Sequence, residues 1–287
     1  MEDARLASSR LHADVERLRA QVALSWPKEV KVLVQAGLRD GTSILEVGSG
    51  PGFITESLLT GLPHCTVTAV ELDPRMCDVA RAQLANQPPD RFEIVQASIL
   101  MTDLPDDTFD FALARFVFQH LAAPDLALLE ILRLLKPGGS LAIVDVDDGV
   151  GGMVVPRGSA FDAVGLKVRQ VQAGQAGDRE IGRKLWRLLA AAGFTDLGLE
   201  AVVFHSDELG LDPFLPQYAP ERYRPFVGAG GLTPAEWEGY RTAYASFVDS
   251  PDAFILQLVL VASGRKPPDA KRGPSTPGNP LLKPGSQ

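Results

Sequence analysis

Hydrophobic positions along this chain change period several times, and the changes outline an alternating α/β fold. Leu11, Val15, Leu18 and Val22 recur at helical spacing and predict an amphipathic helix over residues 3–24. Trp26-Pro27 interrupts that pattern, and a second helix is expected over 28–38, stopped by Asp40-Gly41. A short apolar strand at 43–47 then runs into Gly48-Ser49-Gly50-Pro51-Gly52, and 53–60 reads as the following helix. Strands at 66–70, 92–95, 109–114 and 140–146 alternate with helices at 74–86 and 124–135. Lys136-Pro137-Gly138-Gly139 reads as a helix stop. Short apolar strands separated by helices predict a mostly parallel sheet with helices on both faces.

The second half is less regular. Residues 148–177 are Gly-rich and lack a clean period, 179–192 read as a helix ending at Gly193, and 197–204 and 254–262 read as two further strands. Between those strands, residues 206–252 hold Pro213, Pro216, Pro220, Pro225 and Pro234, together with Tyr218, Tyr223, Tyr240 and Tyr244. A connection of that length is more often functional than idle. The expected organisation is therefore N-terminal helices at 1–40, a core at 41–205 with 148–177 as an irregular insertion, and a lid or substrate insertion at 206–252. A last core strand at 253–264 and a tail at 265–287 complete it.

Composition narrows the class. A chain of 287 residues, 45% apolar and 22% charged, is ordinary for a globular protein with one large core, and it fits neither a collagen-like nor a disulfide-scaffold chain. The net charge of −8 is uneven. The tail carries five basic residues against Asp269 alone, or +4, which leaves −12 on residues 1–264. An acidic body repels a phosphate backbone, so no nucleic-acid partner is expected. The Pro-rich tail is expected to be disordered in isolation. Cys65 and Cys77 form no metal-ligand spacing, so no metal is expected and both thiols read as reduced. No apolar run approaches the ~20 residues of a membrane span, and no leader-like segment opens the sequence. The expectation is a cytoplasmic protein, monomeric or homodimeric, without a membrane partner.

The strongest chemical signal is Glu46-Val47-Gly48-Ser49-Gly50-Pro51-Gly52, placed between a strand and a helix. Glycines let the backbone approach a ligand where a Cβ would clash, and the carboxyl end of the first strand is where open α/β sheets bind nucleotides. A dinucleotide fingerprint starting at Gly48 would need glycine at position 53, where Phe53 stands. Glu46 would oppose a pyrophosphate and suits a ligand bearing an ammonium group. Glu71 ends the next strand, where a carboxylate can accept both hydroxyls of a ribose, in this or in a dinucleotide site.

These residues resemble the class I S-adenosylmethionine-dependent methyltransferases, in the branch that holds ubiquinone/menaquinone-type and natural-product enzymes. The resemblance covers about residues 15–205 and rests on ILEVGSGPG at 44–52, VELDPRM at 70–76, LPDDTFD at 104–110, and HLAAPD with EILRLLKPGG between 120 and 139. It implies a Rossmann-like, seven-stranded, mostly parallel sheet and S-adenosyl-L-methionine as cofactor. By the same resemblance, Glu46 with the Gly48 and Gly50 backbone would sit by the methionine moiety, Glu71 would hold the ribose and Leu72 would lie beside the adenine. Ser98 and the Ile99 amide stand where the family often has an Asp for the adenine amino group, and Arg115 stands where its backbone carbonyl would meet the cofactor ammonium. Trp26 resembles part of a segment that helps cover the site.

Methyl transfer to oxygen or nitrogen invites a base. His120 follows the fourth strand, and related sugar O-methyltransferases pair a His there with an Asp after the fifth strand, where Asp145 stands. A capping or packing role is the competing reading of His120. His205, Tyr218 and Tyr223 are further candidates, and Tyr218 and Tyr223 would belong to an apolar lid around an aromatic or natural-product-like acceptor. The expected activity is methyl transfer to an O, N or C atom of a small molecule. A protein or peptide carboxylate methyltransferase, and an inactive cofactor-binding partner protein, are the alternatives.

Overall fold

The computed structural model describes residues 2–156, 158–174, 177–228 and 231–268. The first half follows the alternation of the sequence: β1 (Ser43–Val47), α2 (Phe53–Gly61), β2 (Thr66–Glu71), α3 (Pro74–Gln83), β3 (Phe92–Gln96), β4 (Phe109–Arg115), α4 (Pro124–Leu134) and β5 (Leu135–Asp145), preceded by α1 (Glu2–Gln35). These five strands pair in parallel in the order β3-β2-β1-β4-β5. The winding reverses at β1 and β4, which opens a crevice outside their carboxyl ends.

Alternate residues of the central strands feed two cores. Ile44, Val67, Phe111, Leu113, Ala142 and Val144 pack with Leu24 and Leu33 of α1 and Leu58 of α2 on one face. Leu45, Val47, Val70, Ala112, Ala114, Leu141 and Ile143 pack with Leu128 and Ile131 of α4 on the other. Burial on both faces is why these strands read as continuous apolar runs.

The second half adds β6 (Gly152–Val155), α5 (Ser159–Gly174), α6 (Leu185–Ala192), β7 (Thr195–His205), α7 (Ser206–Leu209), α8 (Leu215–Tyr218), α9 (Pro234–Val248) and β8 (Phe254–Arg265). β8 runs antiparallel to all three of its neighbours. β7 lies along one edge, while β5 and β6 share the other, against residues 260–265 and 254–257 respectively. The sheet therefore has eight strands where seven were expected, because β6 extends the line of β5 along β8.

Three local expectations are corrected. Residues 2–35 form one helix through Pro27, without the expected break. Pro27 costs a backbone hydrogen bond, but burial of Leu24, Ser25, Glu29 and Leu33 on both sides of it outweighs that loss. The helix stop expected at 136–139 is in place, and those residues are themselves strand. α4 ends at Leu134, and β5 begins at once and bulges between the pairs Leu135↔Phe109 and Ser140↔Phe111. The stretch 148–177 is not uniformly irregular: α5 packs on α9 around Val164, Leu232 and Tyr240, with Phe161 and Tyr223 edge-on to Tyr240. The helix expected at 179–192 is a 3-10 turn at Ile181–Lys184 followed by α6.

No helix among the described residues is long and apolar enough to cross a membrane. Residues 269–287, most of the expected disordered tail, lie outside the described residues. Lys266 belongs to the body. It is buried, and its ammonium donates to the Leu135 carbonyl and to Asp107, both at 2.7 Å. Removal of residues 267–287 is expected to leave the urea unfolding midpoint and cofactor binding unchanged. Lys266→Ala, which removes both bonds, is expected to lower stability by about 1–3 kcal/mol in the same unfolding experiment.

Candidate cofactor and acceptor site

The glycine loop is shaped by a close backbone crossing. Gly48 and Ser49 donate to the Val70 carbonyl at 2.8 and 3.2 Å, tying the loop to the end of β2. Gly48 has φ +67, and a Cβ there would lie 2.4 Å from Val117 Cγ2, so no other residue fits. Gly50 has φ +53, yet a Cβ there would meet nothing within 4 Å, which leaves open space beside its backbone. The Ser49 hydroxyl is buried and makes no hydrogen bond among the described residues, an uncommon state for a polar atom.

Two carboxylates frame the loop. Glu71 accepts from the Gly50 and Asp73 amides, each at 2.8 Å, which fixes its orientation at the carboxyl end of β2. Each of its oxygens keeps a second lone pair. Glu46 is buried and accepts from the Thr55 hydroxyl at 2.5 Å. Burial pushes its pKa up from 4.5 to about 8, against the opposing pulls of Thr55 and the Arg115 charge, with Glu71 adding to the rise.

The adenine-side candidates are spread unevenly. Leu72 is exposed, a large apolar side chain without protein cover. The Ser98 hydroxyl accepts from the Leu100 amide at 3.2 Å. The Ile99 side chain belongs to the core, and no hydrogen bond among the described residues uses its N–H. The Arg115 side chain does not face the cofactor loop. It pairs with buried Glu29 of α1 at 2.7 and 3.0 Å and donates to Ser25 at 2.8 Å, leaving only its backbone for the expected role. Phe116 follows with φ +57, a left-handed conformation rare for an aromatic residue. Its N–H is held by the Val144 carbonyl at 2.7 Å, and the Arg115 guanidinium lies 4.4 Å from its ring centre.

His120 and Asp145 lie at neighbouring strand ends, but no hydrogen bond joins their side chains. Asp145 is fully buried and accepts from the Gln119 and Val146 amides at 3.1 and 2.8 Å. Its pKa is raised to about 7 by burial, with those amides and Arg179 opposing. It therefore fixes the turn that carries His120. The His120 ring keeps access to solvent, yet crowding by the surrounding protein, then the cations Arg179 and Arg17, hold its pKa below 6.5. The ring is neutral at pH 7 and can accept a proton.

The remaining acidic residues after β5 are committed to arginines. Asp147 pairs with Arg183 at 2.6 Å and Asp148 with Arg179 at 2.8 Å. No cluster suited to a metal occurs among the described residues.

Trp26 is half-buried and lines a cleft of about 250 Å³ between α1 and α2, with Val22 and Phe53. Tyr218 and Tyr223 lie in the cap. The Tyr218 hydroxyl accepts from Gln257 at 3.3 Å, and its carbonyl accepts from the Tyr240 hydroxyl at 2.7 Å. The cap is clamped to α1, because buried Gln217 donates to the Arg17 carbonyl at 3.1 Å. His205 lies at the end of β7, 3.8 Å from Glu208, with Nδ1 buried and without a hydrogen-bond partner. Thr55, Glu29 and Arg17 carry no motif, and only the folded chain brings them to the site.

A family model described as a methyltransferase domain matches residues 45–143, the span from β1 through β5 that carries the glycine loop, Glu71 and His120. Residues 45–143 thus match the methyltransferase domain. The chain is 32% identical over 133 residues to malonyl-[acyl-carrier protein] O-methyltransferase of Paenibacillus sp. (strain JDR-2), covering 46% of this chain and 47% of that protein. It is 33% identical over 114 residues to the ubiquinone/menaquinone biosynthesis C-methyltransferase of Hahella chejuensis, covering 39% and 45%. The chain thus spans about half the length of the curated relatives it matches. Phosphoethanolamine N-methyltransferase 2 of Haemonchus contortus, solved with S-adenosyl-L-methionine, shares the fold at TM-score 0.55 and 17% identity, over 84% of this chain and 53% of that one.

The cofactor of this domain family is S-adenosyl-L-methionine, and the loop of the methyltransferase domain fits it. A buried carboxyl with a single hydrogen bond suits an ammonium, oriented Glu71 oxygens suit ribose hydroxyls, and the orphan Ser49 hydroxyl and the space beside Gly50 suit a polar ligand against the backbone.

The Glu46 shift has a definite consequence for stability. Its folded pKa lies above the unfolded value, so the contribution is fully present below pH 4.5 and is lost as pH rises toward about 8. Unfolding of the cofactor-free protein by urea across pH 4.5–8 is expected to show this fall, to which Asp145 adds up to about pH 7, and Glu46→Gln is expected to reduce it and to remove the part between about pH 7 and 8.

Proposed function

We propose that this protein is an S-adenosylmethionine-dependent methyltransferase that moves a methyl group to an O, N or C atom of a small, aromatic or natural-product-like molecule by in-line displacement. The observation that carries this reading is the cradle at the β1–β2 crevice: glycines of positive φ, Glu46 buried beneath them and Glu71 oriented by two amides. S-adenosyl-L-methionine, when bound, supplies an activated methyl group on a sulfonium. The chain's own residues then have to position the acceptor, exclude water and take up a proton.

Glu46 would meet the cofactor ammonium, Glu71 the ribose, and Leu72 with Ser98 and the Ile99 amide the adenine. His120 is the proposed base, and Asp145 holds the backbone of its turn. The clamp between Gln217 and α1 supports a roofed site for a small acceptor over an open groove for a peptide. Tyr218, Tyr223 and Trp26 are the proposed acceptor-side aromatic residues.

Calorimetry with S-adenosyl-L-methionine is expected to show binding that Glu71→Ala weakens by about 10- to 100-fold, the loss of one or two hydrogen bonds to a charged acceptor. Unchanged affinity would overturn the site assignment. In transfer assays on an acceptor panel, His120→Ala is expected to lower kcat about 100-fold or more, with cofactor affinity retained. The acidic limb of the wild-type rate profile is expected below pH 6.5, because the base must be neutral. Full activity of His120→Ala would return that residue to a capping role.

A further inference from the structure

The face of the sheet beneath α1 turns from apolar to charged at its carboxyl end. Ile44 of β1 and Phe111 and Leu113 of β4 lie in the core on that face. Alternation along each strand puts Glu46, two after Ile44, and Arg115, two after Leu113, on the same side. Their partners agree: Glu46 meets Thr55 of α2, and Arg115 meets Ser25 and Glu29 of α1. Glu46 pairs in register with Leu113, so Arg115 stands one strand over and two residues on. Strand spacing and rise put the two Cα atoms about 8 Å apart. A glutamate and an arginine side chain together span that distance.

Arg115 nevertheless turns away from Glu46. Both Glu29 oxygens take its guanidinium, at 2.7 and 3.0 Å, and the Ser25 hydroxyl oxygen accepts from the same fork at 2.8 Å. Glu29 and Ser25 are buried, and the Arg115 side chain is nearly so. A two-bond fork of this kind fixes direction as well as charge. Glu46, by contrast, accepts a side-chain hydrogen bond from Thr55 alone among the described residues.

A buried guanidinium without a carboxylate is costly, and the other buried carboxyl of this face is Glu46. An Arg115–Glu46 pair would set a fixed cation against the carboxyl proposed to receive the cofactor ammonium. The Arg115 charge already pulls the pKa of Glu46 down against burial, even with the guanidinium turned away.

We propose that Glu29 is a positioning residue for cofactor binding: by holding the Arg115 fork toward α1, it keeps Glu46 unpaired for the ammonium of S-adenosyl-L-methionine. Glu29 acts through Arg115 and touches no ligand. This role deepens the methyltransferase reading and rests on it for the identity of the ligand, while the diversion of Arg115 rests on the ion pair and the strand register.

The test is calorimetry on the full chain with two probes. S-adenosyl-L-homocysteine carries the ammonium; 5′-methylthioadenosine keeps the nucleoside and thioether and lacks the amino-acid end. Glu29→Gln retains the side-chain shape and frees the guanidinium. It is expected to weaken S-adenosyl-L-homocysteine about tenfold, the loss of one charge-assisted contact, and to leave 5′-methylthioadenosine unchanged. Adding Arg115→Gln removes the competing cation and is expected to restore S-adenosyl-L-homocysteine affinity to near the wild-type value. A displaced α1 would weaken both probes and would not be rescued. Equal weakening of both, unchanged S-adenosyl-L-homocysteine binding in Glu29→Gln, or no restoration in the double variant overturns the proposal. Should 5′-methylthioadenosine bind too weakly to measure, the double variant decides. Should either variant fail to fold, Ser25→Ala decides: it loosens the same fork, a loss confined to S-adenosyl-L-homocysteine is expected, and an equal loss or none overturns the proposal. A wild type that does not bind S-adenosyl-L-homocysteine overturns the cofactor reading and this role with it; a wild type that binds, without selectivity or rescue in the variants, overturns this role only.

Discussion

The space between Gly48 and Val117 is too small for a Cβ, and much of the site follows from that crossing. A side chain at 48 would sit 2.4 Å from the Val117 methyl group, and the backbone there takes the positive φ that glycine allows. That turn aims the Gly50 amide at Glu71 and lets two loop amides share the Val70 carbonyl. Glu46, two residues before Gly48, is buried, and its carboxyl accepts from the Thr55 hydroxyl. The oriented Glu71 and Glu46, with its raised pKa, thus flank the same loop.

α1 is as much part of this site as the sheet is. Buried Glu29 reaches Arg115 at the end of β4, Ser25 supports the same guanidinium, and Leu24 and Leu33 lie in the core on that face. A buried ion pair gains little net stability, but leaving one partner alone is expensive, so such a pair fixes how two elements meet. The helix holds its course through Pro27 because these contacts lie on both sides of it. The same helix carries Arg17 to the cap, where its carbonyl accepts from Gln217, so one helix meets both the end of β4 and the cap.

Charge has to be read locally. The body is strongly acidic, yet the carboxylates after β5 are consumed by Arg179 and Arg183, and the region around His120 is dominated by cations. Net charge speaks to association with distant partners; the charge around one residue is set by its neighbours.

Period and punctuation along the chain were enough to place β1 to β5, their helices and the loop Gly48 to Gly52, because parallel strands buried on both faces leave runs of apolar residues and a tight turn leaves glycines. Glu46 and Glu71 were legible for the same reason, each standing at a fixed offset from a strand end. Three other features depended on residues far apart in sequence. Pro27 stays inside a helix because Glu29 meets Arg115, β6 exists because β8 outruns β5, and α5 finds its apolar partner in α9 some seventy residues later. Local propensity argues against the first and carries no information on the others. The site divides along the same line: the sequence determined where the glycine loop, Glu46 and Glu71 stand, in one strand-loop-helix unit, while tertiary packing decided the half near His120, where Asp145 holds a backbone turn and Gln217 ties the cap to α1, since long-range contacts leave no period in the chain.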